Sequence, residues 1–405
     1  MNKSLLEVCN ITTGNLDSNA ATKSGRYPFF TCAPEPLRIN DYAFDDDVIL
    51  LAGNNAQGNF HLTRYKGKFN AYQRTYILTA RKGFDVDYIR YSLELYINHL
   101  KKVSQGSQTK FLTMGILEQF RINDIPYDLQ KNQVSMLIAI DKKIELNKKI
   151  NATLEAMAKT LYDYWFVQFD FPDENGKPYK TSGGKIVYNA ELGREIPAGW
   201  EFDSIGNHVS IKHGISYSSD DLMGKGIPMI NLNSFNVDSS YKMEGIKNYS
   251  GNYTNSKCIH PYDLAICLTQ QTSIDIEGKT NVIGKAIFIP DCFQGDIVSS
   301  MDVGIILCDN YYGKYYLHSL INTNFFHRYI TGFSIGTKIK HLHLEGLLQY
   351  KCEKPPDDIL KKFNSILINK LKKQSCIIRE NQTLAALRDW LLPMLMNGQV
   401  EFKRK

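Results

Sequence analysis

The chain has 405 residues, more than one ordinary hydrophobic core accommodates, which predicts two or three domains. Apolar residues make up 43% and charged residues 22%, values that exclude an intrinsically disordered chain. Lysine and arginine number 48 against 42 aspartates and glutamates, so the net charge of +6 permits a polyanionic partner without establishing one.

The cysteines and the distribution of apolar residues predict a reducing, aqueous location. None of the eight cysteines forms a Cys-x-x-Cys pair, and several lie in apolar runs such as residues 264–268, as buried thiols do. The first residues contain no apolar core of a signal peptide, and 18 uncharged apolar residues never occur in succession. We therefore expect a soluble, cytoplasmic protein that binds no membrane, no metal and no cofactor of its own.

Residues 1–126 are predicted to form a first globular domain of mixed α and β structure. Short β-like runs, such as residues 48–51 and 76–80, alternate with turn-forming residues. A polar turn at residues 53–58 contains asparagine and glutamine side chains, and residues 64–74 mix basic with aromatic side chains. The second stretch fits a nucleic-acid surface and an ordinary hairpin about equally well.

Residues 127–170 are predicted to form a first long helix. No glycine or proline occurs between residues 127 and 168, and most residues there are good helix formers. Seam residues recur at alternating spacings of three and four, which is the a and d pattern of a coiled coil. At 1.5 Å per residue the helix would be roughly 60 Å long. The positions in this pattern are Leu137, Ile140, Ile144, Asn147, Asn151, Leu154, Ala158, Leu161 and Trp165.

A turn-rich connector at residues 171–195 is predicted to lead into a second mixed domain at residues 196–355. A second long helix at residues 356–396 and a tail at residues 397–405 follow. The second helix repeats the heptad spacing with more polar interruptions. Its seam positions are Leu367, Ile377, Asn381, Leu384 and Leu391.

The chain contains an internal repeat at a single offset of 230 residues. Without a gap from about residue 104 to about residue 161, this offset pairs residues of the same kind. The pairs include Pro126 with Pro356, Lys110 with Lys340, Asn151 with Asn381 and Leu161 with Leu391. The chain is therefore interpreted as two copies of a globular domain followed by a helix.

One amphipathic stripe alone would be explained as well by a helix lying on its own domain. Two matched stripes favour helices packed on one another, antiparallel because the second must return from the second domain. The predicted fold class is α+β, with two mixed α/β domains separated by a long antiparallel two-helix coiled coil and an internal pseudo-twofold repeat. Asn151 and Asn381 are equivalent under this symmetry, and a polar residue at an a position sacrifices stability for register.

Four sequence motifs resemble those of one known family. They are Pro197-Ala198-Gly199-Trp200 at the start of the second domain, Tyr-Pro-Phe-Phe-Thr-Cys at residues 27–32, and the paired segments at residues 106–110 and 336–340. With the two helices, they make the whole chain resemble a specificity subunit of a type I restriction-modification system. The first domain lacks the Pro-x-Gly-Trp opening, so its first strand is expected to be shortened.

The resemblance implies a function without catalysis by this chain. Each domain would be a target-recognition domain that reads one half of a bipartite, asymmetric site in double-stranded DNA. The helices would set the spacing and dock two methyltransferase subunits, and motor-nuclease subunits would join that core. S-adenosylmethionine, ATP and magnesium would then be bound by the partner subunits.

Candidate DNA contacts follow from residue chemistry. Lys110 and Lys340 occupy equivalent positions and would contact phosphate, although a solvated lysine beside a turn is an equally good reading. Amides in the polar loops would read adenine edges. The full candidate set is Asn54, Asn55, Gln57, Arg64, Lys66, Arg74, Lys110, Lys212, Gln270, Gln271, Lys279, Lys338 and Lys340.

Four alternative functions compete with this interpretation. Asp263, Glu277 and Lys279 could form a magnesium-dependent nuclease site, although the last two lie in a turn-like stretch. His341 and His343 could ligate a metal, but no third ligand is evident. A coiled-coil scaffold without DNA binding would leave the difference between the two domains unexplained. A methyltransferase is disfavoured because no Asn-Pro-Pro-Tyr or Asp-Pro-Pro-Tyr type turn and no glycine-rich cofactor loop occurs.

Overall fold

The computed structural model describes residues 2–55, 60–97, 110–271, 281–309 and 313–400. Gln57, Glu277 and Lys279 therefore lie outside the described residues. The chain divides into two compact units: unit 1 comprises Met1–Glu145 and Thr383–Lys405, and unit 2 comprises Leu146–Gln382. Both units mix helices with strands, which confirms the mixed α and β prediction at that level. No helix in the described ranges combines the length and apolar character that crossing a membrane requires.

Unit 1 is built around a six-stranded sheet. Neighbouring strands are antiparallel except Tyr27–Phe30 and Leu62–Ala71, which are parallel. In spatial order the strands are Cys9–Thr13, Thr75–Ala80, Phe44–Ala52, Leu62–Ala71, Tyr27–Phe30 and Leu37–Ile39. Two further antiparallel pairs join Asn2–Ser4 to Arg121–Asn123 and Asn54–Asn55 to Lys110–Phe111. The short helices are Leu5–Val8, Ser18–Ala20 (3-10), Val86–Leu95 and Met114–Glu118.

Unit 2 contains several smaller sheets. One four-stranded sheet has the order Val209–His213, Val303–Cys308, Leu264–Cys267 and Ala286–Phe288. A second has the order Lys247–Tyr249, Ile227–Ile230, Ile297–Ser299 and Cys258–Ile259. A three-stranded sheet contains Thr269–Gln271, Ile339–Leu342 and Ser334–Ile335. Two strand pairs join Ile186–Asn189 to Arg194–Pro197 and Glu201–Ser204 to Lys351–Lys354.

The helices of unit 2 outside the long helices are short. The α-helices are Gly313–Ile321, Asn324–Thr331 and Leu344–Leu348. The 3-10 helices are Ile205–Asn207, Asp220–Leu222, Leu232–Ser234, Met243–Gly245 and Asn255–Lys257.

The two long helices are Tyr127–Tyr162 and Asp357–Met396. A π-helical turn at Asp163–Val167 follows the first, and the second contains Pro393 only in its last turn. Each helix contributes one end to each unit. Within unit 2 the segments run antiparallel, because Asn147 contacts Asn381 whereas Glu155, further along the first helix, contacts the earlier Lys370.

The internal repeat is visible in the secondary structure of both units. The helices Met114–Glu118 and Leu344–Leu348 stand 230 residues apart, and each is followed by a strand and then a long helix. The sequence of half-buried and exposed positions over residues 151–160 is the same, position by position, as over residues 381–390. Equivalent residues of the two copies therefore have equivalent environments on their own helices.

Each domain begins with a short strand that pairs with the strand preceding its long helix. The first strand of unit 1, Asn2–Ser4, has three residues, whereas its counterpart Glu201–Ser204 has four. Before that counterpart, Gly199 adopts φ +86°, a conformation that a side chain would strain. The turn directs Trp200 onto the rings of Phe166, Phe169 and Phe171 in the core of unit 2.

Candidate nucleic-acid interface

In each unit, one pair of short strands sets a predicted amide residue opposite a predicted phosphate-binding lysine. In unit 1, Asn55 is the cross-strand partner of Lys110. In unit 2, Gln270 is the partner of Lys340. Directly opposed residues have their Cβ atoms about 5 Å apart. The fold therefore pairs an amide residue with a lysine in each unit, although the two residues are 55 positions apart in the chain of unit 1 and 70 positions apart in unit 2.

The strand pair of unit 1 is held at the end of the large sheet by close backbone contacts. The Gly53 N–H donates to the Arg74 carbonyl at 2.8 Å, and the Leu112 N–H donates to the Gly53 carbonyl at 2.8 Å. A Cβ at residue 53 would lie 2.4 Å from the Arg74 carbonyl oxygen, so this approach requires glycine. The exposed Arg74 is thereby brought beside Asn54, Asn55 and the half-buried Lys110.

The strand pair of unit 2 continues into a hairpin that carries two exposed lysines. Gly336, at φ +134°, forms the turn between Ser334–Ile335 and Ile339–Leu342, with Lys338 and Lys340 exposed beside it. The side chain of Gln271 is also exposed and lies opposite Ile339. This surface is basic and hydrogen-bonding, as contact with a nucleic acid requires.

Two exposed isoleucines on the same hairpin were missed by the sequence reasoning. Ile335 is 64% exposed and Ile339 is 47% exposed. An apolar side chain beside lysines can contact the thymine methyl group in the major groove. Their alternation with lysine and threonine at residues 335–340 was the available signal.

Three of the predicted contact residues have structural roles instead. The Gln270 side-chain oxygen is buried and accepts from the Val282 N–H at 2.8 Å and the Ile283 N–H at 3.2 Å. Lys212 donates to the Cys258 carbonyl at 2.7 Å. Arg64 donates to backbone carbonyls and pairs with Asp47 and Asp87. Because these polar groups already have protein partners, contact with a base or a phosphate would compete with those bonds, and their assignment as DNA contacts stays a prediction.

The remaining predicted contacts divide into an exposed lysine and two positions without structural detail. Lys66 is 79% exposed at its side chain and lies 3.6 Å from the Asp47 carboxylate. Gln57 and Lys279 lie outside the described residues. The described surface that combines amide and basic groups is therefore Asn54, Asn55, Arg74 and Lys110 in unit 1, and Gln271, Lys338 and Lys340 in unit 2.

The rival catalytic sites gain no support from the described residues. The Asp263 carboxylate accepts from the His260 backbone N–H at 2.8 Å, as a turn residue does, while its supposed partners Glu277 and Lys279 are not described. His341 is the strand partner of Thr269 and Ile335. Within the described ranges, no group of three or more histidine, cysteine, aspartate or glutamate side chains could hold a metal ion.

A charged cluster links the helices of unit 1 to its globular part. The Asp141 carboxylate accepts from Arg90 at 2.7 Å, from the Tyr91 hydroxyl at 2.8 Å and from Arg388 at 3.4 Å. Burial opposes ionisation, yet these donors hold the pKa of Asp141 below its ordinary value. Burial raises the pKa of the neighbouring Glu94.

The seam of the long helices contains both apolar and polar positions. Buried seam residues are Leu137, Ile140, Leu367, Ile377 and Leu391, and half-buried ones are Ile144, Leu154, Leu161 and Leu384. The side-chain oxygen of Asn381 accepts at 2.8 Å from Asn147, which is not its repeat equivalent. The repeat equivalent of Asn147 is Ile377, whose side chain has no donor, and among the described residues the buried side-chain oxygen of Asn151 has no hydrogen-bond partner.

Comparison with known proteins identifies the class. A family model described as the type I restriction modification DNA specificity domain matches residues 1–156. The crystal structure of the type I restriction-modification S subunit from M. genitalium aligns with all of this chain and 96% of that chain, with TM-score 0.55 and 12% identity. The fold is thus shared with that S subunit, and residues 1–156 are similar to the DNA specificity domain that the family model describes.

Sequence relatives carry the same assignment. The chain is 36% identical over 157 residues to the type I restriction enzyme EcoDI specificity subunit of Escherichia coli. This alignment covers 38% of this chain and 33% of that protein. It is 24% identical over 320 residues to the MjaIX specificity subunit of Methanocaldococcus jannaschii, covering 77% and 68%. The proteins to which this chain is similar are thus type I restriction-modification specificity subunits, and the chain spans about a third of the length of the EcoDI subunit and about two thirds of the MjaIX subunit.

Proposed function

We propose that this chain reads a bipartite DNA site, with one half-site contacted by the strand pair of each unit. The single observation that carries the proposal is the repeated cross-strand placement of a polar amide residue and a lysine, Asn55 with Lys110 and Gln270 with Lys340. Gln270 itself is buried, so its exposed neighbour Gln271 is assigned to the bases in unit 2. The two lysines are equivalent, but the sheets around them differ between the units. This arrangement fits two domains that contact phosphates in similar ways and read different bases.

The long helices are assigned to spacing and to docking two methyltransferase subunits. Exposed apolar residues occur on both helices at the repeat offset: Met136 with Ile366, and Met157 with Leu387. Their exposures are 40% and 46% for the first pair, and 62% and 40% for the second. Exposed apolar side chains that recur in both copies favour two copies of one protein partner. In this assignment the two helices form one antiparallel coiled coil between the recognition domains.

Catalysis and energy use are assigned to the other subunits of the complex. S-adenosylmethionine would be bound by the methyltransferase subunits, and ATP and magnesium by the motor-nuclease subunits. The complete assembly would act on DNA in the cytoplasm.

The phosphate contacts are tested by duplex binding at several salt concentrations. Lys110→Ala and Lys340→Ala should each weaken binding on all sequences and reduce the slope of log affinity against log salt by about one. Lys142→Ala and Lys372→Ala are the matched controls, because they are exposed lysines at the same repeat offset on the helices.

The outcomes separate DNA recognition from a scaffold function. If the controls reduce the slope as much as Lys110→Ala and Lys340→Ala, the assigned interface is wrong. Equal, weak binding of every duplex by the chain assembled with its methyltransferase would favour the scaffold.

A further inference from the structure

Unit 2 contains a cavity of about 650 Å³ between its two helix segments and its globular part. This volume is typical of pockets that bind small molecules. Its apolar wall includes Tyr162, Tyr262 and Phe288, and serine and asparagine side chains line other parts. DNA recognition by the two strand pairs makes no use of it.

Three of the helix residues that line the cavity are polar where the other copy of the repeat is apolar. Glu155, Lys370 and Gln374 line it, and their repeat equivalents are Ala385, Ile140 and Ile144. Ile140 and Ile144 belong to the apolar core of unit 1. The helix framework is therefore compatible with apolar residues at these positions, so the polar set belongs to the cavity of unit 2.

The side chains of these three polar residues bond to one another. Lys370 lies 2.6 Å from the Glu155 carboxylate, which also accepts from the Gln374 amide at 2.9 Å. Nearby, the Asn322 side chain is paired with both backbone polar groups of Ala286, at 3.1 and 2.8 Å. Ligand-binding capacity must therefore come from other charged groups in the lining.

Lys285 is such a group. It lines the cavity with only 6% of its surface exposed, and in the described part of the chain no carboxylate lies within ion-pair distance of its ammonium group. Burial lowers the pKa of Lys285, and the positive charge of Lys159, which also lines the cavity, lowers it further, whereas the carboxylate of Asp238 in the same lining raises it. A buried charge beside a like charge is costly unless an anion compensates it.

We propose that this cavity binds a small phosphorylated molecule of about nucleotide size, whose phosphate group pairs with Lys285 and Lys159. The phosphate supplies a counter-charge at ion-pair distance, which Asp238 does not, and the aromatic wall packs against the remainder of the molecule. The phosphate could come from a free small molecule or from the DNA backbone, and we assign it to a free molecule because the residues lie in a cavity.

Calorimetric titration of the full chain with inorganic phosphate, pyrophosphate and AMP tests the proposal. The wild type should bind AMP or pyrophosphate, and Lys285→Met should weaken that binding at least about tenfold. Without ligand, Lys285→Met should raise the melting temperature, because it removes an uncompensated buried charge. The control Lys373→Met replaces an exposed lysine outside the cavity and should bind like the wild type.

A second variant and a measurement of duplex DNA binding distinguish the remaining explanations. Lys159 is exposed, so Lys159→Met should fold and weaken anion binding even if Lys285→Met does not fold. The proposal is overturned if the wild type binds none of the three anions at millimolar concentration, or if Lys159→Met and Lys373→Met bind them equally. It is also overturned if the cavity variants weaken duplex binding while the wild type binds no small anion.

Discussion

At the scale of single residues, Asp141 is the acceptor that holds two arginines and a tyrosine together in unit 1. Asp141→Asn keeps the size of the side chain and removes the charge. We expect it to lower the free energy of unfolding by about 1–3 kcal/mol, because Arg90 and Arg388 lose their shared anion. Urea unfolding at pH 7 measures the loss, with exposed Asp358→Asn as the control.

The same residue predicts a pH dependence. Because the pKa of Asp141 is lower in the folded state, its contribution is fully present above the unfolded value of 3.8. The contribution is lost as the pH falls through the lower folded value. The difference in stability between wild type and Asp141→Asn should therefore shrink below about pH 4. A difference that persists undiminished to pH 2 would contradict the electrostatic explanation.

A second residue-scale prediction concerns the asparagines of the seam. Asn147 donates to Glu380 at 2.7 Å and to Asn381 at 2.8 Å, whereas the Asn151 side-chain oxygen has no partner among the described residues. Asn147→Leu should destabilise the protein by about 1–3 kcal/mol, since it removes two hydrogen bonds between the helices and deprives the half-buried Asn381 oxygen of this donor. Asn151→Leu should cost less or stabilise. Thermal unfolding of both variants compares them, and an equal loss would mean that the hydrogen bonds of Asn147 contribute nothing.

At the scale of elements, the exposed apolar pairs on the helices predict the stoichiometry of the complex. Met157→Glu or Leu387→Glu should each leave one methyltransferase bound instead of two, and the double variant none, because a charge is costly in an apolar contact. Mass photometry of the purified complexes counts the subunits. Ala156→Glu and Ala386→Glu, at exposed neighbouring positions, are the controls. Two bound methyltransferases in the double variant would remove these residues from the interface.

The elements also separate what the sequence could predict from what it could not. The lack of glycine and proline after Tyr127 and the spacing of Leu137, Ile140 and Ile144 sufficed for a long helix, because helix formation depends on local propensity and periodicity. The antiparallel register that pairs Asn147 with Asn381 depends on packing far along the chain. Equivalence in the repeat identified Asn151 and Asn381 as related but not which residue each contacts.

The site shows the same division. Lys110 and Lys340 were predicted from the repeat, and both lie on short strands in equivalent places of the fold, while their contact with phosphate stays a prediction. The burial of Gln270 was not predictable, since it results from hydrogen bonds to the backbone N–H groups of Val282 and Ile283. The backbone conformation of residues 282–283 depends on tertiary structure. The sequence alone therefore does not tell an amide side chain that contacts a base from one that bonds within the protein.

At the scale of the whole molecule, the proposed spacing function predicts how the DNA site should respond to helix length. Four residues inserted between residues 145 and 146 and four between residues 382 and 383, at the unit boundaries, add roughly 6 Å of helix. This length corresponds to about two base pairs at 3.4 Å per step. The preferred gap between the half-sites should lengthen, while the bases read in each half stay unchanged.

Insertions of different length test whether rotation also matters. Four residues turn the helix by about 40° beyond whole turns, whereas seven restore the heptad phase within about 20°. The seven-residue variant should therefore assemble with methyltransferase subunits better than the four-residue one, and should prefer a gap about three base pairs longer than the wild type. Methylation of a duplex library with varied gap lengths gives both preferences. If folded, active complexes keep the original gap, the spacing is set by the methyltransferase subunits and not by these helices.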